Sequence, residues 1–90
     1  MGTVLIKVKI MPSSPSTNLK EIENEAKKII EENHGRNTRF EKEPIAFGLN
    51  AIIAGFARDE GLDTDDMLEE IRNLDNVSSA EIIDFRRALG

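Results

Sequence analysis

The side chains able to carry out covalent or metal chemistry are few and are poorly arranged for it. The 90 residues include no cysteine and one histidine, His34, so thiolate nucleophiles, disulfides and multi-histidine metal centres are excluded. Acidic residues gather in one stretch, but they lack the spacing and the final glutamate of an EF-hand calcium loop. We therefore expect helix capping and solvent exposure for these carboxylates, which are Asp59, Glu60, Asp63, Asp65 and Asp66.

One aromatic residue stands in a setting that suits partner binding rather than catalysis. Phe47 lies beyond the end of a polar, charged segment, between Pro44 and Gly48. A large ring on the surface beside a rigid turn is the kind of side chain that anchors a partner protein. The alternative is that Phe47 caps one end of the hydrophobic core. Its position alone leaves both interpretations open.

The net charge of the chain also limits which kinds of partner it can bind. Lys and Arg number 12 against 17 Asp and Glu, which gives a net charge of −5 and a pI of about 4.8. This balance argues against non-specific binding to nucleic acid or anionic lipid. Two adjacent arginines, Arg86 and Arg87, close the last apolar segment, and in isolation they are typical of a solvated pair with little energetic role.

No apolar stretch approaches the roughly 20 residues that span a bilayer, and Lys7 and Lys9 interrupt the first apolar segment. We therefore expect no signal peptide, no membrane span and a cytoplasmic location. The length suits one small domain, residues 1–90, with little room for an internal ligand cavity. No cofactor or metal is expected.

Periodicity and capping residues predict six elements. Apolar residues alternate with lysines in the first segment, as in a strand with one buried face. Asn18 suits the N-cap of a first helix, Gly35 its left-handed closure, and Thr64 the cap of a second helix. The predicted elements are a strand over 3–11, a helix over 19–34, an edge strand over 36–43, a central strand over 49–57, a helix from Thr64 and a strand over 77–85. A turn over 58–63 is expected to join the central strand to the second helix.

This order favours a ferredoxin-like α+β fold, in which a four-stranded antiparallel sheet carries two helices on one face. Consecutive apolar residues Ile82 and Ile83 break the alternation of the last strand, so a bulge is expected there. The fold hosts many functions and decides none of them.

Three functions of this fold need residues that can be checked. A copper chaperone needs cysteines, which are absent. A small phosphatase needs backbone donors and an arginine after the first strand, where Pro12 and Pro15 remove donors. An RNA-recognition module needs aromatic residues on the central strands; the first strand has none and the third has only Phe56. An RNA- or ribosome-associated binding module stays as the alternative function.

Several segments together resemble the elongation factor 1-beta family, in its short archaeal type that consists of the exchange domain alone. The resemblance runs over essentially the whole chain, in order and with similar spacing. Its most specific piece is Pro-Ile-Ala-Phe-Gly-Leu at residues 44–49. The segments that carry it are Met1-Gly2-x-Val4, Ile10-Met11-Pro12, the helix opening at Leu19, Glu43 to Leu49, and Asp84-Phe85-Arg86-Arg87.

The resemblance implies a monomeric guanine-nucleotide exchange factor, without chemistry of its own, that acts on the GTPase elongation factor 1-alpha. It also implies that Phe47, supported by Pro44 and Gly48, wedges between helices of the GTPase near its phosphate loop. In the family a lysine near the C-terminus approaches the Mg²⁺ site, and the matching position here is Arg87, next to Arg86. Arginine is wider and planar, so this departs from the better-known eukaryotic pattern.

Overall fold

The computed structural model describes residues 2–88 and contains the six elements in the expected order. They are β1 (Thr3–Pro12), α1 (Leu19–Glu32), β2 (Arg36–Pro44), β3 (Asn50–Asp59), α2 (Asp65–Arg72) and β4 (Val77–Arg87). The strands form one antiparallel sheet in the order β2-β3-β1-β4. This confirms the ferredoxin-like α+β fold, including the edge position of β2.

The hydrophobic core lies between one face of the sheet and the two helices. In β1 the alternation is complete: Ile6, Val8 and Ile10 are at most 1% exposed, whereas Leu5 is 44% exposed on the opposite, open face. Full burial of such an aliphatic side chain stabilises the fold by about 1.5–3 kcal/mol. The helices contribute the matching apolar stripes, namely Ile22, Ala26 and Ile30 from α1 and Met67, Leu68 and Ile71 from α2.

Side chains cap both helices at their N-termini, but only one of the two caps is the expected residue. The side chain of Asn18 accepts hydrogen bonds from two backbone N–H groups at the start of α1, at 3.0 and 3.3 Å. Thr64 makes no such bond at α2. Asp63 replaces it, because its Oδ1 accepts the backbone N–H of Asp65 at 2.9 Å.

The end of α1 differs from the expectation that Gly35 takes the left-handed conformation. The helix ends at Glu32, and His34 has the positive φ, 71°. The N–H of Gly35 then donates to the carbonyl of Ile30 at 2.8 Å, which is the long bond of a Schellman motif. Glycine is still required at this position, because a Cβ would collide with the Ile30 side chain.

Strand β4 contains the expected bulge and is longer than expected. Asp84 pairs with Lys7 and Ile82 with Val8, so Ile83 is the extra residue. Beyond the bulge the pairing with β1 continues through Arg87. The two arginines therefore belong to a hydrogen-bonded strand rather than to a tail, and their backbone positions are set by β1.

Candidate functional site

The turn between β2 and β3 presents Phe47. The N–H of Leu49 donates to the carbonyl of Ala46 at 3.1 Å, and the N–H of Ile45 donates to the carbonyl of Leu49 at 2.8 Å. The two central residues, Phe47 and Gly48, both have positive φ, 58° and 78°. Positive φ at both positions is typical of a type I′ hairpin turn, whose twist matches that of the strands it joins.

The side chain of Phe47 is 95% exposed. This settles the choice between a core cap and a surface ring in favour of the surface. An L-residue other than Asn or Asp in the left-handed region costs about 1–2 kcal/mol, and no burial of the ring offsets that cost. Strain of this kind persists mainly at functional sites, so the fold itself gives no reason for phenylalanine at this position of the turn.

Pro44 and Gly48 define the shape of this turn. Pro44 is the exposed last residue of β2 and pairs with Asn50, and its ring fixes φ. At Gly48 a Cβ would lie no closer than 4.0 Å to the ring of Pro15. Space is therefore available at Gly48, and its positive φ is what requires glycine.

Arg86 and Arg87 lie on opposite faces of β4. Arg86 pairs with Leu5 on the open face, and its Nε lies 3.1 Å from a carboxylate oxygen of Asp84. Arg87 pairs with Val4 on the helix-bearing face, and its Nε lies 2.9 Å from Oε2 of Glu60. Both side chains are about 70% exposed (69% and 73%), so each guanidinium is accessible although each has a carboxylate partner.

The phenylalanine turn and the two arginines occupy opposite ends of the sheet. We call these the turn end, which carries residues 45–49, and the arginine end, where Val4 pairs with Arg58 and Arg87. Strand β3 runs from Asn50 at the turn end to Arg58 at the arginine end. These eight residue steps span about 27 Å at 3.4 Å per residue. Phe47 and the arginines therefore do not converge on one point.

Arg58 is a buried residue of the arginine end that the sequence did not reveal. The segment 58–63 was expected to be a turn, but β3 continues to Asp59 and Arg58 is only 3% exposed. Its Nε donates to the carbonyl of Asn33 at 2.9 Å, and a terminal nitrogen donates to the carbonyl of Asp63 at 3.4 Å. Desolvation lowers the pKa of Arg58, and the nearby Asp63 carboxylate opposes that shift. The sequence did contain one signal for this burial. Arg58 follows Phe56 by two residues, and residues two apart in a strand lie on the same face.

Every phenylalanine of the chain lies away from the open face of the sheet. Phe56 is 4% exposed in the core, Phe40 packs against the core, and Phe85 pairs with Ile6 on the helix-bearing face. Phe47 is in the turn, and the chain has no Trp or Tyr. The open face therefore lacks the stacking residues through which sheets of this fold bind single-stranded RNA.

Within residues 2–88 no three His, Asp or Glu side chains come together as a set of metal ligands. The same part of the chain contains no helix that is long and apolar enough to cross a membrane. The candidate site consists of the exposed ring of Phe47 and the two accessible guanidinium groups of Arg86 and Arg87.

Comparison with known proteins shows the family to which the chain belongs. Residues 5–88 match the model of the family described as the EF-1 guanine nucleotide exchange domain. The chain belongs to this family. The match begins inside β1 and ends just after Arg87, so it includes both ends of the sheet.

Individual members of the exchange-domain family agree with this assignment. Elongation factor 1-beta of Thermococcus gammatolerans is 46% identical over 77 residues, covering 83% of this chain and 84% of that protein. The protein of that name from Pyrococcus abyssi is 41% identical over 78 residues, with the same shares. The one from Methanococcus maripaludis is 35% identical over 86 residues, covering 94% and 97%. The expected resemblance is confirmed, as is a guanine-nucleotide exchange factor of translation elongation.

Proposed function

We propose that this exchange domain releases GDP from elongation factor 1-alpha through two separate contacts, anchored by Phe47 and by Arg87. The observation that carries the proposal is the ring of Phe47, 95% exposed on a backbone with φ of 58°. Such a ring adds nothing to the core and strains the turn, a combination that fits a residue kept for a partner.

Exchange of this kind requires no bond to be made or broken by the factor. A P-loop GTPase holds GDP through contacts to the phosphates and through a bridging Mg²⁺ ion. An exchange factor that binds the nucleotide-free GTPase more tightly than the GDP-bound form must weaken the affinity of the GTPase for GDP, and the two affinity ratios are equal. GTP then occupies the emptied site because it is the more abundant nucleotide.

The separation of about 27 Å along β3 supports different roles for the turn end and the arginine end of the sheet. The family resemblance implies that Phe47 wedges between helices of the GTPase near its phosphate loop and that Arg87 approaches the Mg²⁺ site, and two groups so far apart on the sheet require two contacts. A guanidinium suits the charges of the Mg²⁺ and phosphate site, whereas a ring suits an apolar cleft. We therefore assign Arg86 and Arg87 to the nucleotide site and Phe47, with Pro44 and Gly48, to a second surface of the GTPase.

Release of fluorescent GDP from elongation factor 1-alpha, with and without this protein, tests the proposal. We expect acceleration by the protein and a loss of at least about tenfold with Phe47→Ala, since buried aromatic anchors carry a large share of binding energy. Ile83→Ala, which truncates a side chain 47% exposed on the bulge of β4, is the matched control and should remain active. Full acceleration by a folded Phe47→Ala variant would refute the assignment of Phe47.

Salt tests the arginine contact separately. Replacing Arg86 and Arg87 together by alanine should slow exchange more at low salt than at high salt, because screening already weakens the charge interaction at high salt. An equal loss at both salt concentrations contradicts an electrostatic role for the pair.

The remaining features of the proposal are a single exchange domain over residues 1–90 that acts as a monomer in the cytoplasm. It needs no cofactor, no membrane and no direct contact with nucleic acid. Retention on RNA at low salt, together with no effect on GDP release, would support the alternative of an RNA- or ribosome-associated module.

A further inference from the structure

Glu60 is held in an unusual place at the arginine end. It follows β3 directly, and its backbone N–H donates to the carbonyl of Gly2 at 3.0 Å. Its carboxylate lies over Gly2, so close that a Cβ on Gly2 would be 2.7 Å from Oε1. The side chain thus crosses the chain just before β1, over a position where a Cβ would force the carboxylate to move.

The crossing brings the carboxylate to the strand on the other side of β1. Its Oε2 lies 2.9 Å from Nε of Arg87 in β4, and the two side chains are 33% and 73% exposed. The backbone just beyond Arg87 is fixed as well, because the N–H of Ala88 donates to the carbonyl of Thr3 at 2.8 Å. The backbone and the base of the guanidinium of Arg87 are therefore both anchored, while most of the side chain faces solvent.

The other ion pairs at the arginine end join residues of one strand or of two neighbouring strands, unlike the pair of Glu60 and Arg87. Asp84 lies two residues before Arg86 on the same strand, and Asp59 reaches Arg36 at 3.5 Å across neighbouring strands. Only the pair of Glu60 and Arg87, among residues 2–88, joins β4 to the turn after β3. That pair is built by the sheet order and by the missing side chain of Gly2, rather than by proximity in sequence.

We propose that Glu60 is a positioning residue for Arg87, a role that rests on the proposed contact between Arg87 and the GTPase. Glu60 approaches Nε at the root of the guanidinium, which leaves the terminal edge for oxygens of the partner. An arginine side chain loses considerable rotamer freedom when it binds. Because Glu60 fixes the guanidinium before the encounter, less freedom is lost in the complex, and the contact is stronger.

The test measures fluorescent GDP release from elongation factor 1-alpha over a range of factor concentrations. Glu60→Gln removes the charge at nearly constant size, and it should reduce the acceleration about three- to fivefold, which is the scale of an exposed ion pair. Gly2→Ala places a methyl group where the carboxylate lies and keeps the charge, so it should reduce the acceleration in the same direction. Neither substitution should have any further effect when Arg87 is already alanine.

The control is Asp59→Asn, which makes the same change of charge at the adjacent residue and leaves Arg87 untouched. It should exchange like the unsubstituted protein, and thermal unfolding should show all variants folded. Unchanged or faster exchange with Glu60→Gln, or an equal loss with and without Arg87, would overturn the role of Glu60. If the unsubstituted protein does not accelerate GDP release, the proposed function itself fails, and the role of Glu60 fails with it.

Discussion

Replacing Phe47 by asparagine should make the protein more stable and less active at the same time. The present φ of 58° costs phenylalanine about 1–2 kcal/mol, whereas asparagine tolerates this region, and Asn-Gly is the preferred pair for a type I′ turn. Because the ring is 95% exposed, its removal leaves no cavity. We expect Phe47→Asn to raise the free energy of unfolding by about 1 kcal/mol, or Tm by about 4–8 °C for a domain of this size.

Phe47→Ala separates the backbone contribution from that of the ring. Alanine keeps a Cβ in the left-handed conformation, so its stability should stay within about 0.5 kcal/mol of the parent, as for other exposed sites. Thermal and urea unfolding measure stability, and release of fluorescent GDP measures exchange. Destabilisation by Phe47→Asn of 1 kcal/mol or more would show that the ring packs on its own chain. Full exchange activity in Phe47→Asn would refute the contact with the GTPase.

Further expectations concern the elements that hold the two ends in place, and urea unfolding checks each of them. Gly48→Ala should cost about 1 kcal/mol, because its φ of 78° is unfavourable for alanine although space is available. Arg58→Ala should cost about 2–3 kcal/mol, because it removes buried hydrogen bonds from a charged group to two backbone carbonyls; a smaller cost than for Gly48→Ala would contradict this. Asn18→Ala should cost about 1 kcal/mol, whereas Thr64→Ala should change stability by less than about 0.5 kcal/mol, since the side chain of Asn18 caps its helix and that of Thr64 makes no capping bond. Equal effects would refute the assignment of the caps.

Because of the strain at Phe47, the residue preferences of turns would not predict phenylalanine at this position. A turn with positive φ at two successive positions favours Asn-Gly, and the chain has Phe-Gly instead. Natural sequences break such local preferences mainly where function requires it. An exposed ring on a strained backbone is therefore stronger support for partner binding than the exposed ring alone.

Much of the architecture followed from interactions between residues close in sequence. The alternation of Val4 to Ile10 identified the buried face of β1, the amide of Asn18 identified the start of α1, and the break at Ile83 identified the bulge. Each of these signals is local, because strand faces, caps and bulges depend on neighbours within a few residues. The segment from Pro44 to Leu49 also carried enough specificity to indicate the family.

Only the tertiary structure decided which distant groups meet. Arg58 is buried because β3 continues to the end of α1, where its Nε donates to the carbonyl of Asn33. The pairing of Glu60 with Arg87 requires β1 to lie between β3 and β4.

The same sheet order places Phe47 and Arg87 at opposite ends of the molecule. Spacing along a chain determines which residues share a face of one element, since that depends on the period of the element alone. The distance between two elements depends on strand order and register, which arise from the packing of the whole core. The types of residue proposed to bind the partner could therefore be predicted from the sequence, whereas their placement at opposite ends of the sheet could not.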